Sequence, residues 1–221
     1  MRFFRERREL LDTARRMSSA GLSHGTSGNL SARVERGLLI TATGMPYDEM
    51  GTEDMVELSF AGHAPLGQRL PSSEWRLHRD IYQRRADVNA IVHTHSRFCT
   101  TLACLRRPIP AVHYMIAVTG GSIVRCAPYA TFGSEELSKA TVETLGNGNA
   151  CLMANHGMVA VGADLAAALK IASEVELLAE QYWRAIQVGE PHVLDDAEIA
   201  RVIEKFRSHG QRRRTAPRDR D

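Results

Sequence analysis

Two histidines separated by one residue, His93 and His95, follow a short apolar run in Ile91-Val92-His93-Thr94-His95. The run is typical of a buried β-strand, and side chains at positions i and i+2 of a strand point to the same face. Two imidazole nitrogens on one face can bind a single divalent metal ion such as zinc. An ordinary polar strand face has the same spacing, so the pair alone does not decide between the two interpretations.

Two further residues favour a metal site: Glu74, in Leu70-Pro71-Ser72-Ser73-Glu74-Trp75, and His156, in Asn155-His156-Gly157. Three protein ligands with an open fourth position are the arrangement of a catalytic zinc rather than a structural one. Glu74 would be either the fourth ligand or a base beside the metal. The structural alternatives are a turn histidine that bonds its own backbone, and an acid favoured by the dipole of a helix in its first turn.

Small and hydroxyl-bearing residues in three other segments indicate an anion site. These segments are residues 25–29, residues 41–44 and the pair Ser72 and Ser73. Glycine turns and helix N-termini present free N–H groups, for which phosphate is a natural ligand. No Walker-type lysine accompanies them, so nucleotide hydrolysis is not expected. Each segment alone is typical of an ordinary turn, but Ser72 and Ser73 adjoin Glu74, which would bring a bound phosphate beside the metal.

Helices and short strands must position these residues, and they alternate along the whole chain. The apolar spacing predicts helices over residues 5–20, from about Glu74 with Ser72 or Ser73 as cap, from Ser134 toward Leu145, from Asp164 to Gly189, and from Asp195 or Asp196 through Phe206. It predicts strands over residues 37–41, 88–95, 109–114 and 122–128, and two strands within 150–161 that meet at the Asn155-His156-Gly157 turn. No repeat or linker divides the chain, so a single α/β domain is expected.

Composition and charge argue against several classes of function. The chain has 221 residues, 43% of them hydrophobic and 24% charged, and a net charge of +2. These values are ordinary for a globular protein, and the charge is too small to imply a nucleic-acid partner. No apolar run approaches the roughly 20 residues of a membrane span. The charged first eight residues are not expected to be a secretory signal.

The cysteines and the basic end of the chain complete this description. Four cysteines, none in a Cys-x-x-Cys pair, indicate reduced and mostly buried thiols in a cytoplasmic protein, with a catalytic thiol as the alternative. Residues 211–221 are rich in arginine and have no apolar partner, so they are expected to form a disordered tail after a domain over residues 1–210. Such a tail can bind nucleic acid or acidic surfaces, but a solvated end is the favoured interpretation.

The chain resembles a known family over residues 8–210. The similar stretches are residues 70–76, 92–95, 109–116, 126–133 and 155–157. They resemble the class II, zinc-dependent sugar-phosphate aldolases of the L-fuculose-phosphate aldolase type, within the aldolase II/adducin-head superfamily. The resemblance implies a three-layer α/β/α sandwich with a largely antiparallel central sheet. It also implies a homotetramer whose active sites lie at subunit interfaces.

The resemblance also assigns roles to individual residues. One Zn²⁺ per subunit would be bound by His93, His95 and His156, and Glu74 would be a ligand in the resting site and a base during turnover. Tyr114 from a neighbouring subunit would act on the aldehyde oxygen. The phosphate pocket would consist of Gly28, Asn29, Thr43, Gly44, Ser72 and Ser73.

The implied reaction is retro-aldol cleavage of a ketose 1-phosphate to dihydroxyacetone phosphate and a short aldehyde. The default substrate is L-fuculose 1-phosphate, which gives L-lactaldehyde, and a related short deoxy-ketose phosphate is the alternative. Phe132 and Phe206 would line the aldehyde pocket. His209 occupies the position of a C-terminal tyrosine of the family, and as a catalytic group it would titrate near neutral pH.

Three rivals share the scaffold. A ribulose-phosphate 4-epimerase would carry aspartate in place of Glu74 and would lack the sequence that this chain has at residues 111–115. A methylthioribulose-phosphate dehydratase is a second enzymatic alternative. An adducin-like binding module would have lost its metal ligands, whereas this chain retains three histidines and the acid.

Overall fold

The computed structural model describes residues 2–208, and a seven-stranded sheet forms its centre. The strands are β1 (Asn29–Val34), β2 (Gly37–Ile40), β3 (Val56–Ser59), β4 (Ala90–Thr94), β5 (Ile109–Pro110), β6 (Ile123–Val124), β7 (Cys126–Ala127), β8 (Ala150–Met153) and β9 (Gly157–Gly162). The order in the main sheet is β3-β2-β1-β4-β9-β8-β7, while β5 and β6 pair separately. The main sheet is antiparallel except for the β7–β8 pair, which is parallel.

Six α-helices lie in the described part of the chain. They are α1 (Phe4–Ser19), α2 (Trp75–Arg84), α3 (Arg97–Cys104), α4 (Glu135–Leu145), α5 (Leu165–Val188) and α6 (Asp196–Ser208), with two short 3₁₀ helices at Thr52–Asp54 and Tyr114–Thr119. The predicted starts of two helices are confirmed, and the residues there are the N-caps. The side chains of Ser134 and Asp164 accept from the backbone N–H groups of Leu137 and Ala167, which are otherwise unpaired donors at a helix start.

The helices cover the sheet in two groups. Helix α5 packs on β4 and β9 and contacts α1 and α3, while α2 packs against α4, which in turn lies on β7 and β8. Every residue of β4 is buried, as are the first five of β9. The end of β4 and the turn that enters β9 therefore stand on the best-packed part of the molecule. This is a mixed α/β fold of one domain, as the sequence predicts.

Several predicted elements are wrong in detail. The strand expected over residues 109–114 stops at Pro110, because proline has no N–H for a ladder, and a 3₁₀ helix begins at Tyr114. The strand expected over 122–128 divides into β6 and β7, which belong to different sheets. Strands β1 and β3 and helix α3 were not predicted.

The predicted cap of α2 is also wrong. Glu74, rather than Ser72 or Ser73, occupies the N-cap position, and its side chain makes no capping bond. The Ser72 hydroxyl instead accepts from the backbone N–H of Glu74 at 3.3 Å, and the Ser72 carbonyl accepts from the N–H of Trp75. The serine therefore shapes the turn before the helix, and the glutamate side chain is released for another partner.

The structure tests the predictions made from the cysteines and from the lack of a long apolar run. All four cysteines are free; Cys99 and Cys151 are buried, Cys126 is half-buried, and Cys104 is exposed, so burial is less general than predicted. Burial raises the pKa of Cys151 to about 12, which argues against a reactive thiolate there. Among residues 2–208, no helix combines the length and apolarity needed to cross a membrane. His209 and the tail over residues 211–221 lie outside the described residues.

Candidate active site

The three predicted metal-binding histidines meet at one end of the central strands. One ligand nitrogen from each of His93, His95 and His156 lies within 4.8 Å of the other two. His93 is in β4, His95 follows the end of that strand, and His156 lies in the turn between β8 and β9. The Nδ1 atom of His93 bonds the carbonyl oxygen of Met158 at 2.9 Å. That bond directs Nε2 of His93 toward the cluster, 3.0 Å from Nε2 of His95.

The turn that carries His156 is held against β4 by its neighbours. Asn155 adopts a left-handed backbone with φ of 53°, and its N–H donates to the carbonyl of Ala103 at 3.0 Å. A Cβ atom on Gly157 would lie 2.3 Å from the carbonyl oxygen of Thr94, so only glycine allows this approach. The Asn-His-Gly sequence is thus a structural requirement for bringing His156 to the other two histidines.

Glu74 completes the cluster from the start of α2. It is 6% exposed, and its Oε2 atom lies 3.1 Å from Nε2 of His93 and accepts from the Asn29 amide at 3.0 Å. Its Oε1 atom lies 3.3 Å from Nε2 of His156 but has no hydrogen-bond partner. Burial opposes ionisation, but the charge of His93, its hydrogen bond and the contacts of His156 and Asn29 together hold the pKa of Glu74 well below its usual range.

The protonation states of two of the three histidines suit metal binding. Burial lowers the pKa of His95 to about 3 and of His156 to about 4, and the positive charge of His93 acts in the same direction. His95 and His156 are therefore neutral near pH 7, as a metal ligand must be. For His93, burial acts against the charged form, yet the ion pair with Glu74 raises the pKa. Three imidazoles and a carboxylate with one unsatisfied buried oxygen fit a divalent ion such as zinc.

A cleft beside the histidines contains every residue of the predicted phosphate pocket. Glu74, His95, His156 and Phe132 line the same cleft. The predicted pocket residues in its wall are Gly28, Asn29, Thr43, Gly44, Ser72 and Ser73. Gly28 has a φ of +75°, and a Cβ atom there would lie 2.7 Å from the carbonyl of His93, so the loop can lie against β4 only with glycine.

Two predicted site residues lie elsewhere in the chain's own structure. Tyr114 and Phe206 do not line this cleft; they flank a separate groove with Glu198, Arg201, Val202 and Lys205. Their ring centroids are 6.3 Å apart, and Tyr114 is 48% exposed. The structure therefore brings Phe132 to the cleft but separates it from the other two aromatic residues proposed for the aldehyde side.

Glu176, which was not singled out from the sequence, fixes the segment after His95. Its carboxylate accepts from the Ser96 hydroxyl at 2.7 Å and from the backbone N–H groups of Phe98 and Cys99 at 2.8 and 2.9 Å. This carboxylate of α5 thereby satisfies free donors at the start of α3. No local signal could have found it, because 80 residues separate Glu176 from Ser96.

His78 was also missed, although the sequence does carry a signal for it. It lies in α2 four residues after Glu74, with no exposed surface, and bonds Asn29 and Ser31 of β1. Residues four apart on a helix share a face, so the spacing of Glu74, His78 and Tyr82 indicates a polar row on one side of α2.

Comparisons with known proteins agree with this geometry. The family model described as Class II Aldolase and Adducin N-terminal domain matches residues 8–183. A 5-methylthioribulose-1-phosphate/5-deoxyribulose-1-phosphate aldolase of Rhodospirillum rubrum is 50% identical over 204 residues, which is 92% of each chain. An L-fuculose phosphate aldolase of Escherichia coli O6:H1 is 47% identical over 93% of this chain and 95% of its own.

A solved structure gives the same result for the fold. An L-fuculose 1-phosphate aldolase superimposes with a TM-score of 0.89 at 41% identity, covering 92% of this chain and 96% of that one. The region matched by the family model includes β4, His95 and the turn between β8 and β9, which carry the histidine cluster. The chain belongs to the class II aldolase and adducin N-terminal domain family, and it is a class II aldolase.

Proposed function

We propose that this protein cleaves a ketose 1-phosphate by a metal-dependent retro-aldol reaction, releasing dihydroxyacetone phosphate and a short aldehyde. The observation that carries the proposal is the shared cleft. In it, the histidine–glutamate cluster lies beside the small and hydroxyl-bearing residues expected to bind phosphate. A substrate anchored by its phosphate would therefore present its neighbouring carbonyl carbon to the cluster.

One Zn²⁺ per subunit is the proposed cofactor, with His93, His95 and His156 as ligands and Glu74 as a fourth in the resting site. When bound, the ion would act as a Lewis acid that stabilises negative charge on substrate oxygens. The support for this set is the convergence of three imidazole nitrogens and the unsatisfied Oε1 atom of Glu74.

Glu74 is the proposed proton-transfer residue. Its carboxylate is ionised and buried, and Asn29 holds one of its oxygens, so the other oxygen is available to exchange a proton with the substrate carbon. The protein thereby provides a base whose position is fixed before the substrate arrives.

The phosphate would be bound by Gly28, Asn29, Thr43, Gly44, Ser72 and Ser73. Backbone N–H groups of the glycine turns and the serine and threonine hydroxyls supply neutral donors. The Asn29 amide already donates one hydrogen to Glu74, which leaves its second N–H for the substrate. This pocket binds the half of the substrate that all the candidate ketose phosphates share.

The aldehyde half would be bound by Phe132 of the same chain together with Tyr114 and Phe206 of a neighbouring subunit, and by His209. The exposure of Tyr114 and its position in a groove separate from the chain's own cleft support a site completed by a second copy, in the homotetramer that the resemblance implies. The three-layer sandwich, the domain over residues 1–210 with its basic tail, and a cytoplasmic location belong to the same proposal. The free cysteines support the location.

The relatives support two alternative classes of substrate, which would give different aldehydes. The L-fuculose phosphate aldolase of Escherichia coli O6:H1 favours L-fuculose 1-phosphate and hence L-lactaldehyde. The relative of 50% identity favours 5-methylthioribulose 1-phosphate or 5-deoxyribulose 1-phosphate. The epimerase would use the same retro-aldol step and the dehydratase shares only the scaffold, but the relatives described above are named as aldolases.

A substrate panel tests the proposal. Purified, zinc-loaded protein is incubated with L-fuculose 1-phosphate, 5-methylthioribulose 1-phosphate, 5-deoxyribulose 1-phosphate and ribulose 5-phosphate, and release of dihydroxyacetone phosphate is measured. We expect release from at least one of the ketose 1-phosphates. Epimerisation of ribulose 5-phosphate, or loss of water from 5-methylthioribulose 1-phosphate without release of dihydroxyacetone phosphate, would refute the aldolase assignment.

A further inference from the structure

A continuous row of buried hydrogen bonds leads from the core to Glu74. The Asn29 amide donates to Oε2 of Glu74 at 3.0 Å, and Oδ1 of Asn29 lies 2.6 Å from Nε2 of His78. On the other side of the ring, Nδ1 of His78 lies 2.6 Å from the Ser31 hydroxyl, which lies 2.8 Å from the Tyr82 hydroxyl. Two elements supply the whole row: Asn29 and Ser31 are alternate residues of β1, and the other three lie at the start of α2 or within it.

The row is closed to water. His78 and Ser31 have no exposed surface, Tyr82 is 1% exposed and Asn29 is 4% exposed. A buried polar group that loses its partner is costly, so each member depends on its neighbours for a hydrogen bond. None of His78, Ser31 and Tyr82 lines the cleft, so no contact with substrate explains their polar side chains.

The donors in the row have only one consistent direction. An ionised carboxylate only accepts hydrogen bonds, so Asn29 must turn its NH₂ group toward Glu74 and its carbonyl oxygen toward His78. A carbonyl oxygen also only accepts, so the hydrogen of His78 must be on Nε2. Burial lowers the pKa of His78 to about 3, which leaves the ring neutral with a single N–H. Its Nδ1 atom then accepts from Ser31, whose oxygen can accept from Tyr82.

We infer that His78 is a positioning residue for Glu74, acting through the Asn29 amide, with the Ser31 hydroxyl as the partner of its Nδ1 atom. A flip of the Asn29 side-chain amide would place its NH₂ group against the N–H of His78 and its oxygen against the Glu74 carboxylate. Both contacts would be repulsive. His78 therefore holds the Asn29 N–H on Oε2 and keeps Oε1 directed to the side where it has no protein hydrogen bond. The inference rests on the proton-transfer role of Glu74 in the proposed function.

Two variants of His78 separate positioning from packing. In His78→Gln the side-chain amide nitrogen is as many bonds from the backbone as Nε2, so it can still donate to Asn29. In His78→Asn the amide nitrogen replaces Nδ1, and the donor to Asn29 is lost. We expect His78→Asn to lower kcat by about 10–100-fold, as is typical of losing a supporting partner in a metal site. We expect little change in KM or metal content, and kcat of His78→Gln close to wild type.

Tyr82→Phe is the matched control, because it removes only the far end of the row. Ser31 can still donate to His78 without it, so turnover should stay near the wild-type value. Equal losses of kcat in His78→Gln and His78→Asn would show that the ring merely fills space and would overturn the inference. So would full activity of His78→Asn, or a rise in KM with kcat unchanged.

Neutron diffraction from crystals of the full chain gives a readout that does not depend on turnover. We expect the hydrogen of His78 on Nε2 and the Asn29 NH₂ group toward Glu74, and a hydrogen on Nδ1 of His78 instead would overturn the inference. A wild-type protein that releases no dihydroxyacetone phosphate from any ketose phosphate would refute the proposed function. The hydrogen positions would still decide whether His78 orients Asn29.

Discussion

The cleft around Glu74 and the groove beside Tyr114 are built in opposite ways. His93 is fully enclosed and Glu74 is 6% exposed, and both are bonded to side chains or backbone on neighbouring elements. Tyr114 is 48% exposed and lies on a short 3₁₀ helix, where its ring neighbours are His113 and Phe206.

Under the proposed function, the difference corresponds to a division of labour between copies of the chain. One chain would provide the groups for the metal and phosphate end of a substrate, in the cleft around Glu74. The groove with Tyr114 and Phe206 would complete the cleft of another copy. Relatives named for different ketose phosphates would then share the first region and vary in the second.

The largest expected effect comes from removing a metal ligand. His95→Ala should lower metal affinity by more than the roughly 10–100-fold typical of losing an outer partner of a ligand. Cleavage should be lost with the metal. Metal content by mass spectrometry and release of dihydroxyacetone phosphate are the measurements, with the exposed His63→Ala as the matched control. Full metal content and activity in the His95→Ala protein would show that His95 is not a ligand of a catalytic metal, and the contrast between the cleft and the groove would fail.

The next effect comes from the proton-transfer group. Glu74→Gln should lower kcat by on the order of 10²–10⁴-fold, because the amide cannot exchange a proton with carbon. Glu49→Gln, on the exposed surface, is the control. Metal content must be measured alongside, since Glu74 is also a proposed ligand. The assignment fails if the metal-replete Glu74→Gln protein turns over normally.

Tyr114 tests whether two chains share one site. Tyr114→Phe should lower kcat by about 10²-fold, the lower end for loss of a positioned proton donor. Mixing it with His95→Ala under conditions of subunit exchange should restore activity, because some clefts then have both residues intact. A mixture of two Tyr114→Phe preparations is the control. Mixed oligomers without any recovery would show that each chain works alone.

The chain end should have the smallest effect on binding. Removal of residues 207–221 should leave metal and phosphate binding nearly unchanged, since those groups lie on the central strands or in the loops and turns beside them. Cleavage should fall by less than in Tyr114→Phe, and more aldehydes should be accepted, because His209 is proposed to bind the aldehyde half of the substrate. Removal of residues 211–221 alone, which spares His209, is the matched control. Identical kinetics for the shorter truncation, the longer one and the full chain would assign no role to His209.

The histidine cluster could be predicted from the sequence because local sequence patterns determine where each histidine points. Alternation along β4 directs His93 toward one face, and the Asn155-His156-Gly157 turn follows from glycine at a crowded position. The meeting of the phosphate segments in one cleft followed from the resemblance and from the position of Ser72 and Ser73 beside Glu74. The structure adds the distances between these groups.

Strand β1 could have been predicted, because residues 29–34 alternate strictly between polar and apolar side chains, which is a strand pattern. The partners of its polar face could not. Ser31 bonds His78 and Tyr82, and Arg33 bonds backbone carbonyls at the end of α2 and in the loop after it. The contact of Glu176 with the start of α3 was beyond reach for the same reason, since it depends on the packing of two helices distant in sequence.

The most direct test of the central claim is metal removal from the wild-type protein. Protein stripped with a chelator is assayed for release of dihydroxyacetone phosphate from the best ketose 1-phosphate, and then titrated with Zn²⁺. The account predicts that stripped protein is inactive and that activity returns in proportion to metal bound, up to one ion per chain. Full cleavage activity in metal-free protein would contradict it, as would equally tight zinc binding by a variant with His93, His95 and His156 all changed to alanine.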